Sequence, residues 1–285
     1  MVFSVIGGDK RQIEAARHLR ALGHEVSIFG LPDTDGLLST DSVCSAVCGA
    51  DAVVLPLPCS RDGMTVVTSL THDVIFLQDI LQCKPKFIFA GMIKKQFEDD
   101  LKAAGIPHCD YYNDSILIYN NAVLTAESAI GLAINGTDGS LYNSKALVIG
   151  YGRIGERLSE YLKALGAAVT ATSRDKATLA RIKANGCSAI NTNDFKSHIA
   201  DFDYIFNTAP SPLLDSFFFS HCKKDAFVCD LATDSGIDLA AASKHGINAA
   251  VYSGLPGKSS PKTAAVFITE VILENLNNIT KMEDQ

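Results

Sequence analysis

An apolar run that ends in a glycine turn and reopens as an amphipathic helix restricts this chain more than any other stretch. Residues Lys145-Ala146-Leu147-Val148-Ile149 lead straight into Gly150-Tyr151-Gly152-Arg153-Ile154-Gly155. Apolar positions then recur at helical spacing through Leu158, Tyr161 and Leu162 to Leu165-Gly166, and a second apolar run, Ala167–Ala171, follows at once. The order is strand, tight turn, helix, strand, the βαβ frame without which G-x-G-x-x-G means little. In that frame the first glycine makes the turn, the second lets backbone approach a pyrophosphate, and the third lets helix pack on strand. The helix start offers unpaired N–H groups and the positive end of its dipole. The spacing predicts a dinucleotide site on Gly150, Tyr151, Gly152, Arg153, Ile154 and Gly155. The plainer reading is a structural turn.

The tip of the next strand selects the dinucleotide. An NAD site usually carries Asp or Glu there for the ribose 2′-OH. This strand ends Thr172-Ser173-Arg174, followed by Asp175 and Lys176. A guanidinium can pair with a 2′-phosphate and stack on adenine. Ser173 and Arg174 therefore point to NADP (NADPH). The alternative is a solvated Arg174, with Asp175 on the ribose.

With 285 residues the chain is long enough for one large or two ordinary domains, and 47% hydrophobic content suffices for buried cores. A net charge of −7 without a basic stripe argues against a nucleic-acid partner. The first residues, Met1–Gly8, read as a strand entering a turn rather than a signal peptide. No apolar run approaches a membrane span, so a cytoplasmic location without membrane contact is expected. The eight cysteines contain no C-x-x-C pair and read as buried, reduced thiols.

Strands alternating with helical stretches predict an α/β chain of two Rossmann-like, doubly wound parallel-sheet domains. The first spans residues 1–120, with strands at Phe3–Gly7, Glu25–Phe29, Ala52–Leu57, Phe87–Ala90 and near His108–Tyr112. Helices are expected over Lys10–Leu22 and Ile93–Ala104. A bridging helix, about Ala122–Asn135, and a hinge occupy residues 121–139. The dinucleotide domain fills 140–257, with further strands at Tyr204–Asn207, Ala226–Leu231 and Ala249–Tyr252. Residues 258–285 hold a last helix opened by Pro261, which can return to the hinge. The first domain has its own glycine turn, Gly7-Gly8-Asp9-Lys10-Arg11-Gln12. It either presents a helix N-terminus and Arg11 to an anion or is an ordinary turn with a solvated Arg.

Several segments in order resemble the family of dipicolinate synthase A subunits over nearly the whole chain. They are Val5–Gln12 (V-I-G-G-D-K-R-Q), Tyr119-Asn120, Thr125-Ala126-Glu127, the cofactor turn, Ala164–Ala167, Arg174, Asn207–Pro210, Asp230-Leu231-Ala232, Gly254–Gly257 and Pro261–Ala264. The family's P-G-G after D-L-A is replaced by Asp234-Ser235-Gly236. The resemblance implies a layout like that of D-2-hydroxyacid dehydrogenases and oxidation of dihydrodipicolinate to dipicolinate with NADP. It further implies partnership with a flavoprotein-like B subunit, in the mother cell of a spore-forming bacterium. A homo-oligomer is left open.

Such a reaction removes a hydride and a proton from a ring bearing two carboxylates, so positioning and charge neutralisation are the main demands. Arg11 and Lys262 are the expected carboxylate partners. Gln12, Asn120 and Thr125 are expected to bind substrate beside Arg11. Glu127 could accept the proton or orient Lys262, or be a mere surface carboxylate. Lys262 is equally readable as a first-turn helix lysine, although a cation there opposes the dipole. Thr208, Ala209, Pro210 and Leu231 should line the cofactor crevice, closed by a loop of Gly254, Leu255 and Pro256. The stretch Val251–Gly257 holds no His, which argues against a D-2-hydroxyacid dehydrogenase, the main enzymatic alternative. A non-catalytic NADP-binding protein within the complex is the other.

Overall fold

The computed structural model describes residues 1–232 and 236–283, so Asp234 and Ser235 lie outside the described residues. It divides into two compact units, Met1–Asn120 with Ser260–Gln285, and Asn121–Ser259. Each is built on a six-stranded, wholly parallel sheet.

In the first unit the strands are β1 (Val2–Ile6), β2 (Glu25–Phe29), β3 (Leu38–Ser39), β4 (Ala52–Val54), β5 (Ile88–Ala90) and β6 (His108–Asp110). Their spatial order is β3-β2-β1-β4-β5-β6, so the direction of winding reverses between β1 and β4. Helices α1 (Lys10–Ala21), α2 (Val43–Val47), α3 (Leu77–Gln82) and α4 (Lys95–Ala103) cover both faces. Phe3 and Val5 alternate with Ile6, which places Ala16 and Leu19 of α1 on one face and Ile80, Phe97 and Leu101 on the other. Helix α1 starts where it does because Asp9 accepts the Arg11 N–H (2.9 Å) while Gln12 Oε1 accepts the Asp9 N–H (3.0 Å).

The second unit contains β7 (Lys145–Ile149), β8 (Ala168–Ser173), β9 (Ser188–Asn191), β10 (Tyr204–Asn207), β11 (Phe227–Asp230) and β12 (Asn248–Val251), ordered β12-β11-β10-β7-β8-β9. Its helices are α5 (Ser115–Asn135), which enters from the first unit, then α6 (Arg153–Ala164), α7 (Lys176–Ala184), α8 (Ser216–His221), α9 (Leu239–His245) and α10 (Leu255–Ser259). The last helix, α11 (Pro261–Glu283), belongs to the first unit, where Ile268, Val271, Ile272 and Leu276 join the Phe3 and Leu19 core.

Four expectations change. Helix α5 begins seven residues earlier than the apolar pattern suggested, because Asp114 caps it by accepting the Leu117 N–H (2.7 Å). By length and composition α5 could cross a membrane, contrary to the sequence expectation, yet Ala126, Ala129 and Ala133 are fully buried against the second sheet. Leu255-Pro256-Gly257 is not a loop but the start of α10, because Leu255 is drawn into the second core. The cysteines are not all reduced: Cys44 on α2 is bonded to Cys83 just after α3, and Cys48 is exposed. Spacing could not show this pair, 39 residues apart, because it depends on how two short helices pack.

Candidate functional site

The glycine turn joins β7 to α6. Gly150 has φ +90°, a conformation that disfavours any side chain, and an added Cβ would lie 2.9 Å from Thr208 Oγ1. At Gly155 a Cβ would lie 2.3 Å from the Gly150 carbonyl oxygen, so only glycine lets α6 approach the strand. At Gly152, the N-cap, a Cβ would meet nothing within 4 Å. The turn is thus tight at two glycines and open at the one where backbone must face a ligand. The first intrahelical bond runs from Glu156 N to Gly152 O, so the N–H groups ahead of it remain for an anion. These residues fit a dinucleotide pyrophosphate. Arg153 is exposed beside it and Ile154 packs against the core. The Tyr151 side chain turns away, taking a hydrogen bond from Asn185 (3.1 Å) with Arg181 over its ring, so only its backbone is left for a cofactor.

Two threonines hold the turn: Thr208, an expected crevice residue, and Thr172, to which the sequence reading gave no role. Thr172 Oγ1 accepts the Gly150 N–H (3.3 Å), and Thr208 Oγ1 donates to the Ile149 carbonyl (3.0 Å). At the tip of β8, Ser173 Oγ accepts the Asp175 N–H (3.1 Å). Asp175 is the N-cap of α7 and accepts from both the N–H and the hydroxyl of Thr178 (2.7 and 2.8 Å). Arg174 is exposed and has no hydrogen-bond or ion-pair partner among the described residues. Thr208, Ala209 and Pro210 follow β10, and Leu231 follows β11, at the same carboxyl edge. Gly254 has φ +62°, while Leu255 and Pro256 are buried, so any cofactor contact from them is through backbone.

In the first unit the glycine turn is closed. A Cβ on Gly7 would meet Val66 Cγ1 at 2.7 Å and the Val67 carbonyl at 2.9 Å, because the segment after β4 folds over it. Arg11 is neither solvated nor open: it is 5% exposed, its Nε and Nη2 pair with Asp9 (3.0 and 2.8 Å), and Nη2 also donates to the Leu57 carbonyl. Burial works against its charge, but Asp9 wins and raises its pKa. Gln12 is fully buried; its oxygen closes the α1 cap and its Nε2 has no hydrogen-bond partner among the described residues. Asn120 is half-buried and Lys262 exposed, both in this unit. Thr125 and Glu127 belong to the second unit: Thr125 donates to the Asn121 carbonyl (2.8 Å), and Glu127 is exposed on α5. The thiol of Cys59, after β4, is buried and pushed up to about 11.

Two doubly wound sheets, one with an open dinucleotide cradle, define a nicotinamide-dinucleotide oxidoreductase of the dehydrogenase type. Accordingly, residues 130–248 match the profile of the D-isomer specific 2-hydroxyacid dehydrogenase NAD-binding domain, and residues 2–112 that of the N-terminal domain of the dipicolinate synthase A subunit. The chain is 32% identical to the dipicolinate synthase A subunit of Bacillus subtilis (strain 168), over 98% of this chain and 97% of that one. It superposes on the crystal structure of the dipicolinate synthase A subunit from Bacillus halodurans with a TM-score of 0.84 at 26% identity, covering 96% and 97% of the two chains. D-lactate dehydrogenase of Salmonella shares the fold, with a TM-score of 0.68 at 18% identity over 97% and 96%. The chain belongs to the family of dipicolinate synthase A subunits.

Proposed function

We propose that this protein oxidises dihydrodipicolinate to dipicolinate with NADP, acting with a flavoprotein-like B subunit. The observation that carries the reading is the pairing of an open Gly152 cradle with a strand tip whose one nearby carboxylate, Asp175, is committed to capping α7. That leaves Arg174 to the 2′-phosphate. The oxidised nicotinamide, when bound, supplies the hydride acceptor. The α6 N–H groups hold the pyrophosphate, and Ser173 and Arg174 hold the adenosine end. Lys262 neutralises a substrate carboxylate, while Arg11, buried and paired with Asp9 and the Leu57 carbonyl, holds the first unit's turn. Asn120 and Thr125 orient the ring by hydrogen bonds, and Gln12, fully buried, serves the α1 cap instead. Glu127 takes the ring proton, and aromatisation of the product supplies much of the driving force.

Calorimetric titration of the unmodified protein should show NADPH bound at least about tenfold more tightly than NADH, since charge-assisted hydrogen bonds contribute roughly 1.5–3 kcal/mol each. Arg174→Asp should reverse that preference. Tighter binding of NADH by the unmodified protein would sink the NADP assignment. Absence of dihydrodipicolinate-dependent NADPH formation, with the B subunit present, would sink the substrate assignment.

A further inference from the structure

Asn207 and Asp230 are the last residues of β10 and β11, directly paired across the parallel ladder, and both are 0% exposed. A buried carboxylate is costly unless donors surround it. Asp230 Oδ1 accepts from Asn207 Nδ2 (3.0 Å) and from the Ala232 N–H (2.9 Å). Asn207 in turn accepts the Ala209 N–H on Oδ1 (3.2 Å) and donates to the Ala209 carbonyl (3.1 Å).

The chemistry of the pair is directional. An ionised carboxylate only accepts, so Asn207 must turn its NH₂ toward Asp230. Its oxygen is then left for the Ala209 N–H. One carboxylate thereby sets the path of both segments leaving the sheet, 208–210 and 231–232. The first of these also clasps the cofactor turn, through Thr208 Oγ1 to the Ile149 and Gly150 carbonyls (3.0 and 3.4 Å).

The sheet order fixes which half of a dinucleotide this concerns. The adenosine ribose belongs to the tip of β8, on one side of β7; β10 and β11 lie on the other side, under the second mononucleotide. From this we infer that Asn207 and Asp230 are positioning residues for the nicotinamide end of the site. They act through the backbone of 208–210 and 231–232. The inference rests on the dinucleotide reading but not on the choice between NAD and NADP.

The test separates the nicotinamide ring from the rest of the ligand. Asn207→Asp, Asp230→Asn and the double exchange Asn207→Asp/Asp230→Asn are titrated with 2′-phospho-ADP-ribose and NADPH, and in parallel with ADP-ribose and NADH. Asn207→Asp sets two carboxylates against each other. Asp230→Asn removes the carboxylate that orients the Asn207 amide and leaves only the Ala209 contacts to hold it, so it carries the test even if the first variant does not fold. Each single variant should bind the ribose fragments like the unmodified protein. Each should lose about tenfold in affinity for the reduced dinucleotide, the equivalent of roughly one hydrogen bond, together with the fluorescence enhancement of the bound dihydronicotinamide. The double exchange restores an amide facing a carboxylate but leaves the Ala209 carbonyl without its donor, so it should recover both in part. Equal losses for fragment and dinucleotide, or no loss of either, would overturn the positioning role. Failure of the unmodified protein to bind either fragment would instead overturn the dinucleotide reading itself.

Discussion

Three glycines that look alike in the sequence do three different things. Gly155→Ala forces a Cβ to within 2.3 Å of the Gly150 carbonyl oxygen and should cost about 1–3 kcal/mol, read as a lowered thermal midpoint. Gly152→Val places its side chain in open space, so the midpoint should hardly move while calorimetry shows dinucleotide binding abolished. A Gly152→Val protein that binds normally would make the turn merely structural. The motif spacing identified all three positions; Gly155 is held by the Gly150 carbonyl of the same turn, whereas the tightness at Gly150 depends on Thr208 and Ala209, nearly sixty residues on in the chain. Arg11 carries the opposite lesson. A helix-start arginine reads as solvated or anion-bound, but its pairing with Asp9 and the distant Leu57 carbonyl makes it part of the first core.

At the level of elements, strong patterns were legible and weak ones were not. The Tyr204–Asn207 strand and the start of α11 at Pro261 follow from a continuous apolar run and a helix-initiating proline. The two-residue β3 and the short α3 have too few residues for any period to emerge. The disulfide between α2 and α3 closes a loop of 39 residues, and such a closure contributes about 4 kcal/mol by restricting the unfolded chain. Thiol titration of protein denatured without reductant should therefore count six reactive cysteines of the eight, the free set being Cys48, Cys59, Cys109, Cys187, Cys222 and Cys229. Reduction should lower the stability of the first unit. Eight reactive thiols before reduction would refute the crosslink.

Across the whole molecule, the two units repeat one plan that the sequence does not display as a repeat. Both sheets follow the same order when read from their first strand, β1 or β7. Both fasten that strand's first N–H to an aspartate just ahead of the neighbouring strand: Val2 to Asp51 (2.9 Å) and Lys145 to Asp203 (2.7 Å). The Val2 N–H and then the Lys86 ammonium hold the Asp51 carboxyl below its ordinary range. Burial pushes Asp203 up, but the Lys145 N–H and the Lys223 ammonium prevail and hold it down. A carboxyl with a depressed folded-state pKa stabilises above its unfolded value, about 3.9, and that contribution is lost as pH falls through the folded value. Both groups are about a third exposed, so Asp51→Asn or Asp203→Asn should cost less than about 1 kcal/mol at neutral pH. The difference from the unmodified protein should shrink as pH falls below about 3.9 and vanish once it has passed through the depressed folded values. A difference that persists there would show that the ionised carboxylates contribute nothing.

The sequence by itself determined the fold class, the dinucleotide turn, the α6 helix behind it and the family, because those signals lie in contiguous runs whose periodicity and glycine spacing act locally. Only the tertiary structure decided that Asn207 meets Asp230, that Arg11 meets Leu57 and that Cys44 meets Cys83. Those partners are 23, 46 and 39 residues apart, and parallel strands joined by long crossovers are what bring them together.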